Sequence, residues 1–297
     1  MKVRVTVGGL ILTCVALSLL IAPKASTAPP GAPTFSTIDV PGGTQSAVAG
    51  IANNGKMVGY YTGSDNNAHG FLLANNIFTQ IDFPGALSTD GFGIDETGKI
   101  VGSYYDDGTG SQHGYLLEDG AFTTISFPAA TNTLSGGRNN VGQIVGLYDD
   151  VGGSTHGYLL DLFGFTPIDF PGAISTVVPK LNNSGRLVGI YKSAEAVTHG
   201  FSFNEGSFAS IDFPGASSTE AFGINDAGVI VGRYALNGQD PVVSGHGFLL
   251  DKGAFTSFDY PESFETTPLD INTRGQIVGF YTDANGHDHG FVASGLH

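Results

Sequence analysis

The stretch from Gly223 to Gly232 reads G-I-N-D-A-G-V-I-V-G, and fourteen residues after Gly232 the segment from His246 to Leu250 reads H-G-F-L-L. Similar pieces recur along the chain, and the H-G pair is followed by Phe or Tyr six times. The repeat histidines are His69, His113, His156, His199, His246 and His289. Their steps are 44, 43, 43, 47 and 43 residues, and a fixed period in this range indicates a repeat architecture.

The length of the repeat varies in one connection only. From the acidic position of each D-x-P segment to the glycine after the I-V pair there are always 20 residues, and from each repeat histidine to the next D-x-P position always 13. The step from that glycine to the repeat histidine ranges from 10 to 14 residues. This connection is called the variable loop below.

Four short strand-like runs fit each unit, rich in Val, Ile, Phe and Tyr and bounded by Gly, Pro, Asn and Asp. No stretch shows a sustained helical period. Four antiparallel strands in about 43 residues is the size of one propeller blade. The sequence therefore predicts an all-β fold, a six-bladed β-propeller of four-stranded antiparallel blades over residues 35–297. A β-solenoid is the structural alternative.

The phase of the repeats predicts how the ring closes. The first unit opens at a strand that contains Phe35, and the last ends with a strand that contains Phe291. We expect these two strands to be neighbours within one blade or in adjacent blades, which protects their edges. Which strand of each blade is innermost is left open.

The N-terminal segment is predicted to lie outside the fold. Residues 1–28 have the pattern of a secretory signal peptide, since Lys2 and Arg4 precede an apolar run from Val5 to Ala22. An uncleaved membrane anchor is the alternative, because about 18 apolar residues are just long enough to span a bilayer. Residues 29–34 form a Pro-rich spacer. The sequence predicts a secreted, periplasmic or cell-surface protein with no membrane insertion after cleavage.

Composition excludes several kinds of chemistry. Cys14 is the only cysteine and lies in the predicted signal peptide, so a processed chain has no disulfide, thiol nucleophile or cysteine metal site. The chain has 12 Lys and Arg against 27 Asp and Glu, and without Lys2, Arg4 and Lys24 the balance is 9 against 27. Such an acidic shell argues against nucleic acid and anionic membranes as partners. It suits a cation binder or a basic partner, as well as simple solubility.

The repeat unit resembles that of the bacterial HAF family of extracellular repeat proteins. The family repeat has an I-N-x-x-G-x-I-V-G core and an H-A-F-L segment, which resemble the stretches that begin at Gly223 and His246 and their equivalents in every unit. The chain departs from the family in having Gly247 where the family has Ala, and unit three carries Arg138 in place of the core Ile. The resemblance covers the whole chain after residue 34. It implies export and a repeat fold, and it implies no activity.

The six repeat histidines are predicted to be structural. A catalytic histidine is normally singular, whereas a histidine in every blade is typical of a repeated hydrogen bond, to the D-x-P aspartate or to nearby backbone. A metal bound by all six would require them to converge on the axis. Asp283, Asn285 and Asp288 resemble a fragment of a calcium loop without its closing glutamate. The sequence therefore predicts no cofactor and leaves only Ca²⁺ open.

Candidate ligand-binding residues belong to the end of the ring that carries the variable loops. Alternate connections of an antiparallel blade emerge at the same end, so the variable loops share a face with the P-G-A loops, and the I-N-x-x-G turns share the other with the D-K-G turns. The longest variable loop, residues 233–245, contributes Arg233, Asn237 and Asp240. A tyrosine two residues after each I-V-G glycine could stack on a sugar ring or pack between blades. These tyrosines are Tyr61, Tyr104, Tyr148, Tyr191, Tyr234 and Tyr281.

Together these features favour a monomeric, non-enzymatic binding module that acts through the face of the variable loops on a glycan, a peptide or a surface protein. A secreted hydrolase or lyase with its site at the propeller mouth is one alternative, and a structural protein of the envelope or matrix is another. Fold alone does not separate the three. The enzyme hypothesis requires a polar residue in the channel that the other blades lack.

Overall fold

A computed structural model describes residues 6–7, 10–11, 33–106, 108–236 and 244–296. The secondary structure of these residues is entirely β, and none of them forms a helix that could cross a membrane. A short antiparallel pair, β1 (Thr6–Val7) with β2 (Leu10–Ile11), precedes the main fold. The rest of the predicted signal peptide and most of the predicted spacer lie outside the described residues, and both stay predictions.

Six sheets of four antiparallel strands follow. The first strand of each sheet contacts the first strands of the adjacent sheets, so these inner strands surround a central axis. The inner strands are β4 (Gln45–Ile51), β8 (Ala86–Ile94), β12 (Asn132–Arg138), β16 (Ser175–Leu181), β20 (Ala216–Ile224) and β24 (Glu265–Ile271). The second strands are β5 (Met57–Thr62), β9 (Ile100–Asp106), β13 (Ile144–Asp149), β17 (Leu187–Lys192), β21 (Ile230–Leu236) and β25 (Ile277–Thr282).

The outer half of each sheet begins at a repeat histidine or next to it. The third strands are β6 (Ala68–Ala74), β10 (Gln112–Glu118), β14 (Thr155–Asp161), β18 (Thr198–Asn204), β22 (His246–Asp251) and β26 (Asp288–Ser294). The outer strands are β7 (Ile77–Ile81), β11 (Ala121–Ile125), β15 (Gly164–Ile168), β19 (Ser207–Ile211), β23 (Ala254–Phe258) and, in the last sheet, β3 (Thr34–Ile38). Blades are numbered 1 to 6 from the sheet that begins with β4.

The ring closes through the first strand of the main fold. Strand β3 pairs antiparallel with β26 and completes blade 6, with Ile38 opposite Gly290 and Thr34 opposite Ser294. The predicted six-bladed propeller of four-stranded blades is confirmed, as is the prediction that the terminal strands share a blade. The solenoid alternative is wrong, because each unit forms its own sheet and the sheets close into a circle.

The glycine after each I-V pair is required by close packing inside the blade. A Cβ on Gly146 would lie 1.8 Å from the carbonyl oxygen of Leu134 on the inner strand and 2.8 Å from the ring of Tyr158 on the third strand. The aromatic side chain of the third strand fills the space that the glycine leaves, and in all six blades it is fully buried. These six residues are Phe71, Tyr115, Tyr158, Phe201, Phe248 and Phe291.

The I-N-x-x-G turns bond every pair of neighbouring blades. The Asn182 side chain, for example, accepts hydrogen bonds from the amides of its own turn and donates one to the carbonyl oxygen of Asn225 in the next blade, at 3.2 Å. The amide of Asn53 bonds Glu96 at 2.7 Å, and the amide of Thr273 bonds Asn53 at 2.8 Å, so the series also joins blade 1 to blade 2 and blade 6 to blade 1. Because each turn is hydrogen-bonded to the turn of the next blade, this face of the ring is rigid.

Candidate functional site

The two faces of the ring differ in what they carry. The variable loops and the D-x-P loops, which lead from each outer strand to the next inner strand, emerge together and define the variable-loop face. The I-N-x-x-G turns and the short turns between third and outer strands define the tight-turn face. This is the arrangement expected from antiparallel strands, and it places every length difference between blades on one side.

Each repeat histidine bonds the D-x-P position of its own blade on the variable-loop face. The Nδ1 atom lies 2.7 to 3.2 Å from a carboxylate oxygen in five blades and 3.0 Å from the hydroxyl of Ser126 in blade 3. In blade 6 the partner is Asp39, so the bond from His289 spans the ring closure. That bond raises the pKa of His289 above the usual value for histidine. The geometry is that of a repeated structural bond.

The six tyrosines proposed as ligand contacts are packed between aromatic neighbours. In blades 2 to 6 the tyrosine stacks on the aromatic residue of the preceding D-x-P loop, as Tyr104 does on Phe83 with ring centroids 3.6 Å apart and nearly parallel planes. The repeat histidine covers the other side of all six rings, at 4.9 to 5.4 Å. Tyr61 differs because Val40 stands where the other D-x-P loops carry the aromatic residue. A ring covered on both sides offers a ligand its edge and hydroxyl, not a stacking face.

Arg233 lies inside the ring rather than in the long loop that follows it. Its Nε donates to Glu220 on the paired inner strand at 2.5 Å, and its Nη1 donates to Glu265 of blade 6 at 2.5 Å. Burial alone would lower the pKa of Arg233, but the two carboxylates raise it, so the guanidinium stays charged. Both bonds hold the side chain at the interface of blades 5 and 6, where it is buried and not on the variable-loop surface. Asn237 and Asp240 lie outside the described residues.

The proposed calcium ligands bond within their own loop. Asp283 accepts hydrogen bonds from the amides of Asn285 and His287 at 2.8 and 2.9 Å, and Asp288 accepts one from the hydroxyl of Thr282 at 2.7 Å. Among the described residues no group of three His, Cys, Asp or Glu is placed to bind a metal ion. The loop has the hydrogen bonds of an Asx turn, and Ca²⁺ binding gains no support from it.

A lysine from blade 4 crosses the central channel. The Nζ atom of Lys180 lies 2.9 Å from the carbonyl oxygen of Ala49 in blade 1 and 2.7 Å from that of Phe92 in blade 2. It also pairs with Asp270 of blade 6 at 3.2 Å. The other four blades have glycine at the position that Lys180 and Asp270 occupy. At Gly223 a Cβ would lie 2.7 Å from the Cα of Asp270, so the inner strands approach closely there. The Lys180 side chain fills the remaining width of the channel and is called the plug below.

The plug forms the floor of a depression of about 70 Å³ on the tight-turn face. Lys180 with Asp270 and Arg138 with Asp95 form two ion pairs in its floor. The turns form its rim. Because these charged groups bond one another and the rim residues bond along the ring, the depression is built mainly from contacts that hold the blades together.

A second position on the inner strands also breaks the six-fold pattern. Five residues before the asparagine position of each turn, the inner strand carries Ala47, Asp90, Leu134, Val177, Glu220 and Thr267. Asp90 and Glu220 therefore occupy the same position in blades 2 and 5, on opposite sides of the axis. Glu220 bonds Arg233, whereas Asp90 stands opposite Ser103 and bonds no described side chain or amide. Sequence reasoning missed both residues, although two charged residues in an otherwise uncharged column of the repeat were a usable signal.

Charge is divided unequally between the two halves of the ring. The half nearer the variable loops has sixteen described acidic residues against two basic ones, and the half nearer the tight turns has nine against seven. The acidic residues of the first half are Asp39, Asp65, Asp82, Asp90, Asp106, Asp149, Asp150, Asp169, Glu195, Asp212, Glu220, Asp259, Glu262, Glu265, Asp283 and Asp288. Of its two basic residues, Arg233 is buried and Lys192 is exposed. Among the described residues, the half of the ring nearer the variable loops therefore carries most of the net negative charge.

Solved structures with low sequence identity share the fold. AofleA from Arthrobotrys oligospora is 12% identical, with a TM-score of 0.56 over 88% of this chain and 86% of that chain. The lectin of Aleuria aurantia, described as a six-bladed β-propeller with a novel fucose recognition mode, is 14% identical, with a TM-score of 0.52 over 86% and 93%. TolB from Acinetobacter baumannii is 14% identical, with a TM-score of 0.56 over 80% of this chain and 63% of that chain. At such identity the likeness shows the fold alone.

No family profile and no curated protein matches the sequence. The resemblance to the HAF family stays a prediction.

Proposed function

We propose that the protein is a non-enzymatic binding module that works outside the cytoplasm, secreted, periplasmic or on the cell surface, and binds its partner on the variable-loop face. The observation that carries the proposal is the division of charge, sixteen described acidic residues against two basic ones in the half of the ring nearer that face. The same face carries every length difference between the blades, on a scaffold whose opposite face is tied together by its turns. Specificity is commonly located on loops held by such a rigid scaffold.

The structural neighbours support a binding role without identifying the partner. The Aleuria aurantia lectin is described as fucose-specific, and its fold has the same number of blades. A glycan, a peptide and a surface protein are all partners that a propeller face of this size accommodates. The signal-peptide pattern of residues 1–28 and the resemblance to the HAF family support export.

The enzyme alternative is less well supported. The channel does contain polar residues that break the repeat, which a catalytic site requires. However, Lys180 is bonded to two carbonyl oxygens and to Asp270, and Arg233 is bonded to Glu220 and Glu265. Because these side chains bond one another, they hold the blades in place. A hydrolase needs an acid and a base that face a substrate, and these bonded groups do not provide that pair.

The proposal is tested by comparing the two faces in the full-length protein. Asp65→Asn with Asp150→Asn removes two exposed charges from the variable loops, and Glu118→Gln with Glu205→Gln removes two from the tight-turn face. The wild type and the two double variants are screened against immobilised glycans, peptides and an extract of surface proteins. We expect the first pair to change binding and the second pair to leave it unchanged. Loss of binding only in the second pair, or turnover of a glycan by the wild type, would contradict the proposal.

A further inference from the structure

The paired inner-strand carboxylates differ in whether the chain supplies a cation. In blade 5 the second strand places Arg233 opposite Glu220, and Gly245 leaves room for the guanidinium, since a Cβ there would lie 3.2 Å from Cδ of Arg233. In blade 2 the second strand places Ser103 opposite Asp90, and this serine accepts a hydrogen bond from the Gln112 side chain at 3.0 Å. Blade 2 therefore has the carboxylate of the blade 5 ion pair without its cation.

Asp90 is a buried carboxylate without a bonded partner among the described residues. It is 5% exposed, and burial raises its pKa to about 7. The titratable side chains that sense its charge are tyrosines, Tyr60 of blade 1 and Tyr105 and Tyr115 of blade 2, and none of them is cationic. A buried carboxylate is normally paired or hydrogen-bonded, so the unpaired Asp90 leaves a position that a cationic group from another molecule can fill.

Along its inner strand, Asp90 lies between the lysine that closes the channel and the end of the strand at the variable-loop face. Lys180 closes the channel at the level of Phe92, two residues further along the same inner strand toward the tight turns. In the other direction three residues separate Asp90 from Leu87, at the mouth of the channel, which is about 10 Å along a strand. A long basic side chain that enters at the mouth spans most of this distance, and the length of the Asp90 side chain covers the remainder.

The mouth of the channel alternates between polar and apolar side chains. At the start of the inner strands, blades 1, 3 and 5 carry a hydroxyl that donates to the end of the neighbouring second strand, as Thr44 does to the carbonyl oxygen of Thr62. Blades 2, 4 and 6 carry Leu87, Ile174 and Phe264, which are 41%, 53% and 66% exposed. Exposed side chains of this size on alternate blades provide apolar contacts around the axis.

The chemistry of this surface selects among the partner classes. Its negative potential attracts a cation, whereas a neutral saccharide gains no charge attraction from it. The apolar residues at the mouth favour a partner that has apolar side chains as well as positive charge. Among a glycan, a peptide and a folded surface protein, a basic amphipathic polypeptide segment is the one that satisfies both conditions.

We propose that the variable-loop face binds a basic, amphipathic polypeptide segment across the channel mouth, with apolar side chains against Leu87, Ile174 and Phe264 and one lysine or arginine bonded to Asp90. The incoming ammonium or guanidinium group pairs with Asp90 in the way that Arg233 pairs with Glu220. This inference rests on the proposed function, since it names the partner class of the same face.

The test measures fluorescence anisotropy of labelled probes with the full-length protein. The probes are a twelve-residue peptide of alternating Lys and Leu, an oligolysine of equal charge, and a neutral fucosylated oligosaccharide. We expect the amphipathic peptide to bind most tightly, and Asp90→Asn to weaken it about tenfold, the loss of one charge-assisted hydrogen bond. Phe264→Ser should weaken the amphipathic peptide several-fold and leave oligolysine unchanged. Asp226→Asn on the tight-turn face is the matched control and should have no effect.

The outcomes separate this inference from the proposed function. If the peptides bind but Asp90→Asn binds them as well as the wild type, the assignment of Asp90 is overturned. If only the oligosaccharide binds, and the Asp65→Asn with Asp150→Asn protein loses it, the partner class is wrong while the variable-loop face stands. If Asp226→Asn abolishes peptide binding and Asp90→Asn does not, both the inference and the proposed face fail.

Discussion

Asp90→Asn and Glu220→Gln form a matched pair of substitutions with opposite expected effects on stability. The two carboxylates occupy the same position in opposite blades, and each substitution replaces a carboxylate by an amide of the same shape. Asp90 is buried without a partner, so its charge destabilises the fold. Glu220 is bonded to Arg233 at 2.5 Å, so its charge is needed there.

The magnitude for Asp90 follows from its pKa. Burial raises that pKa from 3.8 to about 7 in the folded protein. The unfolded chain therefore ionises first, and stability falls as the pH rises from about 4 to about 7 and then levels off. A difference of roughly three pH units corresponds to about 4 kcal/mol of unfolding free energy above pH 7, and the amide's own desolvation reduces the expected gain from Asp90→Asn to about 2 kcal/mol.

Glu220→Gln is expected to cost about 2 to 4 kcal/mol, because it leaves Arg233 buried with only Glu265. The assay is urea unfolding followed by circular dichroism and tyrosine fluorescence at pH 5 and pH 8, since the chain has 11 tyrosines and no tryptophan. Asp90→Asn should raise the urea midpoint at pH 8 and leave it nearly unchanged at pH 5. A lower midpoint than the wild type at pH 8 would show that the Asp90 carboxylate has a stabilising partner in the free protein, and the reasoning would be refuted.

Three further predictions concern the plug, the repeat histidines and the long loop. Lys180→Met should lower the unfolding free energy by about 3 kcal/mol, because Asp270 and two carbonyl oxygens lose the ammonium group that bonds them. The double variant Lys180→Met with Asp270→Leu should recover much of this loss. Equal urea midpoints for the single and double variants would contradict the prediction. His199→Ala should cost about 1 kcal/mol, since its side chain is 25% exposed and its bond to Asp212 is 2.7 Å long, and an unchanged thermal melt would remove its structural role. Removing four residues from the long loop, with Arg233 kept, should spare folding and weaken partner binding, so unaltered affinity would place the partner elsewhere.

The architecture could be read from the sequence because the repeats are regular in length. Turn residues and apolar runs recur at fixed offsets, and the invariant steps of 20 and 13 residues leave only one loop free to vary. The innermost strand could not be identified in this way. All four strands of a blade are short and rich in Val, Ile, Phe and Tyr, and their order around the axis depends on packing between blades rather than within one.

The candidate residues were harder to predict, because their environment comes from neighbouring blades. Tyr104 stacks on Phe83 of the D-x-P loop that leads into its blade, a contact that depends on how the loop folds over the second strand and that residue spacing alone does not show. Arg233 precedes the long loop in sequence, yet it is directed inward because Glu265 of the next blade lies within 2.5 Å. The only sign of Asp90 in the sequence is that most other units have an uncharged residue at the equivalent position.

The closing strand gives the chain an order of events during synthesis. Strand β3 is made before any complete blade, and its partner β26 is made last, so the bond between Asp39 and His289 joins residues 250 positions apart. Until blade 6 emerges, β3 has an unpaired edge that could associate with an edge of another chain. A nascent protein truncated before β26 therefore leaves β3 and β25 without the strand that pairs with both, and these open edges are sites where unfinished chains can associate.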